Sequence, residues 1–174
     1  MNPNDHQPLN RSAFARLVET YSGPLTQYAW HRTGNPDTAR EVVQEVFLRL
    51  AKTNLGKIED HVVPWMYTVC RNLTIDYQRK QSRWVMNTEQ EIDNRNPSAE
   101  PDPGKATVRS ETQSLLRQCI DELPERDREV MVLKFQNGLS YKDIARILDL
   151  SVSNVGFIIH QSVNKLRESM TQRT

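Results

Sequence analysis

The sequence predicts an all-α protein made of two small helical domains joined by an acidic, flexible linker. Three observations predict this class. Only 6 glycines occur in 174 residues, against many Leu, Arg, Glu and Gln, a composition that favours helices over strands and turns. Apolar residues recur at three- and four-residue spacing in several stretches, the pattern of helices with one buried side. Residues 87–105, NTEQEIDNRNPSAEPDPGK, hold three prolines, one glycine, several acids and almost nothing apolar, too little to build a core. The expected units are therefore 1–83 and 107–174, with 84–106 as the linker, and each unit is near the small end for independent folding. No internal repeat relates the halves.

The N-terminal unit reads as three helices. Ser12 can cap the first, which runs through AFARLVETYSGPLTQYAWHRT; an irregularity is expected at Gly23-Pro24, because proline removes a helical hydrogen bond. The second opens after Asn35, with Pro36 where a missing N–H costs little. Its Ala39, Val42, Val43, Val46, Phe47 and Leu50 form one stripe at helical spacing. Leu48 points away from that stripe, among Asp37, Glu41, Gln44 and Glu45. An apolar side chain centred on an acidic face suits a protein partner, although single exposed leucines are common.

The third helix, VPWMYTVCRNLTIDYQRKQSR, has Val62, Met66, Val69, Cys70, Leu73 and Tyr77 for its buried side. Arg71, Arg79, Lys80 and Arg83 gather toward its end, with Trp65, Tyr67 and Trp84 nearby. Cations mixed with aromatics suit single-stranded nucleic acid, since cations meet phosphates and rings offer stacking faces. A basic last turn also complements the helix's own dipole, and composition alone does not choose between the two. Asp76 is expected to pair with Lys80 one turn on.

In the C-terminal unit, TVRSETQSLLRQCIDEL offers Val108, Leu115, Leu116, Cys119, Ile120 and Leu123 as an apolar face. Pro124 starts a second helix, which ends at Asn137-Gly138. Ser140 can cap a third, SYKDIARILDL. Ile144, Leu148, Leu150, Val155 and Ile158 are apolar where a helix-turn-helix packs its two helices, and Ala145 is small where they cross. Asp149 occupies the turn position that needs a left-handed backbone, which Asp tolerates. Ser151 then caps the last helix, SVSNVGFIIHQSVNKLRE, whose first turns would enter a major groove. The groove-facing candidates are Ser151, Ser153, Asn154, Gly156, Phe157, His160, Gln161 and Lys165, with Arg167 beyond. Asn and Gln can read adenine edges and Phe can touch a thymine methyl, while backbone at Gly156 could approach DNA closely. The first two turns hold no Lys or Arg, so weak independent DNA affinity is expected.

Charge and composition exclude several classes. The net charge of +1 argues against nucleic acid only until it is resolved along the chain. Residues 62–83 carry four cations against one carboxylate, and residues 84–106 carry two against five. No apolar run approaches the roughly 20 residues of a membrane span, the start lacks a secretion signal, and the expected location is the cytoplasm. Cys70 and Cys119 stand far apart without CxxC spacing, as expected of reduced thiols rather than a disulfide or zinc site. No GxxxxGK[ST], HExxH or GxSxG motif is present, so no enzyme activity, metal, cofactor or small-molecule substrate is expected.

With both units placed, the chain resembles an alternative sigma factor of the extracytoplasmic-function (ECF) class, the promoter-recognition subunit of bacterial RNA polymerase. The resemblance rests on NPDTAREVVQEVFLRL, PWMYTVCRNLTIDYQRKQSR and LPERDREVMVLKFQNGLSYKDIARILDLS. It implies that the first segment, through Asp37, Glu41, Gln44, Glu45 and Leu48, binds core polymerase at the clamp helices of its largest subunit. The second would capture the melted minus-ten element through Trp65, Arg71, Asn72, Asp76, Arg79, Lys80 and Arg83, with a flipped-out base received by the 54–61 loop. The third would read the minus-thirty-five duplex. The linker would thread the polymerase's basic RNA path, where its acidity is favoured. The family usually has Lys or Arg at several positions of its last helix, where this chain has Gly156, Ile158 and Gln161. Phe157 and Ile159 could instead serve a protein partner such as an anti-sigma factor.

Three rival readings remain on sequence grounds. A helix-turn-helix regulator acting without polymerase would leave Leu48 and the basic helix unexplained. A sigma-like module that binds regulators without DNA would suit the unusual last helix. A helical enzyme using His31, His61 or Glu45 lacks partners at catalytic spacing.

Overall fold

The computed structural model describes residues 11–53, 58–87 and 108–173, and the chain divides into two compact units, Met1–Ser98 and Ala99–Thr174. The first unit holds α1 (Arg11–Thr33), α2 (Pro36–Lys52), a short 3-10 turn (Glu59–His61) and α3 (Val62–Asn87). Ser12 lies inside α1 rather than capping it. Nor does Gly23-Pro24 break α1, which is helical throughout with Pro24 inside. Both residues are exposed, as is Thr20, whose carbonyl loses its helical donor to the proline. Water can serve that carbonyl, so the helix continues.

Asn35 caps α2, its Oδ1 accepting from the backbone N–H of Asp37 at 2.9 Å and of Thr38 at 3.0 Å. All six residues of the α2 stripe are buried. Leu25, Tyr28 and Ala29 of α1 and Met66, Tyr67, Cys70 and Thr74 of α3 are buried as well. Fully burying one such aliphatic side chain is worth about 1.5–3 kcal/mol. Tyr67 corrects an expectation: it stands two residues from Trp65, on the opposite side of α3, and packs edge-on against Tyr28 with ring centroids 5.4 Å apart. A polar clasp ties α1 to α3, with Arg32 Nε donating to Thr74 Oγ1 at 2.8 Å and Gln78 Nε2 donating to the Arg32 carbonyl at 2.6 Å.

The second unit holds α4 (Val108–Asp121), α5 (Glu125–Met131), a π-helical turn (Val132–Gln136), α6 (Tyr141–Leu148) and α7 (Val152–Arg173). On α4, Cys119 is buried and Leu115 and Ile120 half-buried, with Leu123 buried just beyond the helix. Leu116, expected with them, lies at the solvent edge, and the side chain of Val108 lies outside the described residues. The π turn was not expected. It widens the end of α5, and Gly138, in a left-handed conformation, then stops it, the Leu139 N–H bonding back to the Leu133 carbonyl at 3.1 Å. Arg128 reaches back to the Leu123 carbonyl at 3.1 Å, fixing the α4–α5 corner.

The boundary expected at Arg83 also moves. α3 runs on to Asn87, so the first residues assigned to the linker are helical, and the remainder of 84–106 lies outside the described residues. Among the described residues no helix is long and apolar enough to cross a membrane.

Candidate functional site

Three surfaces collect the residues singled out from the sequence. On α2, Leu48 is 55% exposed and stands among exposed Asp37, Glu41 and Gln44 and half-buried Glu45. The acidity of this face is partly balanced. Asp37 pairs with Arg40 at 2.6 Å and Glu45 with Arg49 at 2.7 Å, exposed bridges worth well under 1 kcal/mol each. A partner that approaches can displace either at small cost.

On α3, Asn72, Asp76, Arg79, Lys80 and Arg83 are exposed and Trp65 is half-buried. Spacings of seven, four, three and four residues line Trp65, Asn72, Asp76, Arg79 and Arg83 along one side of the helix, with Lys80 at its edge. The stripe is about 27 Å long at 1.5 Å per residue. Arg71 is half-buried and lies off it. The expected Asp76–Lys80 pair does not form among the described residues, which leaves the Lys80 ammonium facing solvent. Of the loop expected to receive a base, 54–57 lie outside the described residues; Ile58 is buried and His61 half-buried.

Behind the stripe the helix is held by the core. Cys70 is fully buried, and burial pushes its thiol up to about 12, with Arg32 acting in the opposite direction. Burial likewise drives the Tyr67 phenol upward, with further contributions from Cys70 and Tyr21. Both groups stay neutral at physiological pH and serve packing.

In the second unit, Ser140 caps α6 by accepting from the Asp143 N–H at 3.1 Å, and Asp149 adopts φ 53°, ψ 55° in the turn. Ser151 Oγ accepts from the Asn154 N–H at 3.1 Å and so opens α7. Ile144, Ala145, Leu148, Val155 and Ile158 are buried between the two helices, and Leu150 is half-buried. The outward side of α7 presents Ser153, Phe157 and His160 in one line and Asn154, Gln161 and Lys165 in a second, all exposed. Phe157 is 61% exposed at the centre. His160 Nε2 lies 3.1 Å from Asn164 Nδ2, which steadies the ring.

Two expectations on α7 need correction. Gly156 does not offer bare backbone to DNA: the Tyr141 ring lies over it, and a Cβ there would sit 3.6 Å from the ring. Ile159 is buried in the core and cannot join Phe157 in a partner contact, since it lies on the opposite side of the helix.

A helix-turn-helix in one unit, with a second unit whose α3 face mixes cations with an aromatic, defines the class as a helix-turn-helix DNA-binding protein. Residues 17–83 match the family description Sigma-70 region 2, and residues 113–166 match Sigma-70, region 4. The chain is 31% identical over 170 residues to the ECF RNA polymerase sigma factor SigW of Bacillus subtilis, covering 92% of this chain and 90% of that protein. It is 26% identical over 168 residues to the RNA polymerase sigma factor YlaC of the same organism, covering 94% and 95%. Among solved structures, the sigma factor RpoE in complex with the anti-sigma factor NepR from Bartonella quintana shares the fold with TM-score 0.65 at 19% identity, over 91% of this chain and 96% of that one. CnrH in complex with the cytosolic domain of CnrY does so with TM-score 0.59 at 21% identity, over 95% and 92%.

The chain belongs to the ECF RNA polymerase sigma factors, non-enzymatic subunits that bind core polymerase and direct it to promoters.

Proposed function

We propose that the work of this sigma factor is divided among the three surfaces. The α2 face around Leu48, with Asp37, Glu41, Gln44 and Glu45, docks on core polymerase. The α3 stripe of Trp65, Asn72, Arg79 and Arg83, with Lys80 beside it and Asp76 and Arg71 in support, holds the melted minus-ten strand. The α7 residues Ser153, Asn154, Phe157, His160, Gln161 and Lys165 read the upstream duplex, with Ser151 and Gly156 shaping the helix that carries them. The acidic segment beyond α3, 88–106, follows the polymerase's basic RNA path. The protein acts in the cytoplasm, and an anti-sigma factor, as NepR is for the sigma factor RpoE of Bartonella quintana, is a further candidate partner.

The observation that carries this reading is the α3 stripe: five of the predicted minus-ten residues fall on one side of one helix, and four of the five are exposed. The physical logic is additive. With no Lys or Arg in the first turns of α7, the upstream contact is weak alone. Two weak contacts carried by one polymerase gain from effective concentration, so neither needs a full set of cations. Melting is then driven by capture of unstacked bases.

The test is transcription by core polymerase and this protein from a promoter library randomised upstream and around the start site, with sequencing of the transcripts. Two separated blocks of selected bases are expected. A single selected block would refute the division of labour.

A further inference from the structure

We infer that Lys134 and Tyr141 together hold a phosphate of the upstream duplex, so that positive charge missing from the first turns of α7 is supplied by the π-helical turn and the start of α6. The inference rests on the reading of α7 as the duplex-reading helix, and neither residue is among the groove-facing candidates of the sequence.

Lys134 lies in the π-helical turn and Tyr141 opens α6. The Lys134 ammonium stands 5.1 Å from the centre of the Tyr141 ring and donates to the Leu139 carbonyl at 3.3 Å. The ring in turn reaches α7, its Cε2 lying 3.6 Å from where a Cβ at Gly156 would be. Gly156 is next to Phe157 and one helical turn from Ser153 and His160. The fold therefore carries a cation from the turn to the flank of the reading face through a single aromatic ring.

The state of Lys134 selects an anion. It is half-buried, and among the described residues no carboxylate pairs with it. Asp143, the nearest acid in sequence, instead accepts from the Ser140 hydroxyl at 2.6 Å. A cation drawn partly out of water without a counter-ion is costly, and a ring face and one carbonyl offset this only in part. An ammonium has three N–H donors, so two are left for a ligand. Tyr141 is exposed, and its hydroxyl makes no hydrogen bond among the described residues. A duplex that takes α7 into its major groove brings its backbone past the preceding helix. Lys and Tyr side chains are among the groups that hold phosphate oxygens in such complexes.

The experiment uses holoenzyme reconstituted from core polymerase with the full-length chain, as the parent, Lys134→Gln, Lys134→Arg or Tyr141→Phe. Lys134→Gln keeps a donor for the Leu139 carbonyl and Tyr141→Phe keeps the ring on α7. Binding is titrated by competition at several salt concentrations, on a promoter selected from the library and on the same promoter lacking its upstream block. One duplex phosphate contributes about 0.9 to the slope of log K against log salt. Lys134→Gln should reduce the slope by about that amount and weaken binding about eightfold at roughly 0.1 M salt. The factor should be the same on every upstream sequence, because phosphate contacts carry no base information. Lys134→Arg should keep the parent's slope. Tyr141→Phe should weaken binding about threefold or more with the slope unchanged, as expected for one lost hydrogen bond. The inference is overturned if Lys134→Gln keeps the parent's slope, if Tyr141→Phe binds like the parent, or if either effect is equally large without the upstream block. Phe157→Ala with Gln161→Ala separates the two levels. If that double variant discriminates among upstream sequences as the parent does, the reading of α7 itself fails; if it loses discrimination while Lys134→Gln is silent, only the role of Lys134 and Tyr141 falls.

Discussion

Replacing Arg79 and Lys80 together with alanine should weaken capture of the melted strand without disturbing the fold or polymerase docking. Both side chains are exposed, and the Asp76–Lys80 pair does not form, so the substitutions break no ion pair among the described residues. Surface changes of this kind usually stay within about 0.5 kcal/mol of stability. Their effect on DNA follows from counterion release. Each phosphate neutralised on a single strand contributes about 0.7 to the slope of log K against log salt. Two contacts therefore contribute about 1.4, which corresponds to about 65-fold in affinity at roughly 0.05 M salt and about 15-fold at roughly 0.15 M. The difference should vanish near 1 M. Permanganate reactivity of unpaired thymines, titrated with holoenzyme at several salt concentrations, measures it, with polymerase pull-down as the control. A variant whose salt slope equals the parent's would refute the assignment, because neutralising phosphate is the only reason given for these two cations.

Further outcomes follow from the other surfaces. Leu48→Asp should reduce affinity for core polymerase at least about tenfold, since burying this leucine is worth about 1.5–3 kcal/mol, while the melting temperature holds; unchanged affinity in a competition assay would remove Leu48 from the interface. Asp149→Gly should stabilise the second unit by on the order of 0.5 kcal/mol, the relief of the left-handed backbone exceeding glycine's added unfolded-state entropy. Calorimetry should then show a rise of about 2–4 °C, and a fall would mean that the Asp149 side chain itself holds the turn. Cys70 makes the first unit sensitive to alkali, because burial carries its thiol from 9.0 to about 12. Its contribution is complete below the unfolded thiol's range and is lost between about pH 9 and 12 as the unfolded chain releases the proton first. Urea midpoints should fall between about pH 8 and 10 in the parent and fall less in Cys70→Ala; equal slopes would contradict the burial.

Much of this was readable before any coordinates. The α2 stripe followed from spacing alone, and all six of its residues are buried, because a helix next to a core exposes its period directly. The caps at Ser140 and Ser151 and the left-handed turn at Asp149 were equally legible, since each is a local hydrogen bond or dihedral requirement met within four residues. What escaped depended on neighbours distant in sequence. Tyr67 looked like a partner for the cations because it is aromatic and near them in the chain, yet Tyr28 claims it for the core. Gly156 looked like an approach for DNA because nothing in its own helix shows that Tyr141 covers it. Ile159 read as a possible contact, and its burial among the elements of the second unit decides otherwise.

The sequence by itself determined the all-helical class, the two units and the helix-turn-helix, because periodicity, capping and composition act over a few residues. The tertiary structure alone decided which aromatic residues remain in water. Tyr67 and Trp84 flank the same basic helix, but the first faces α1 and is buried while the second lies past the packed part of α3 and is exposed. The difference is set by where the neighbouring helix lies, information that no local pattern carries.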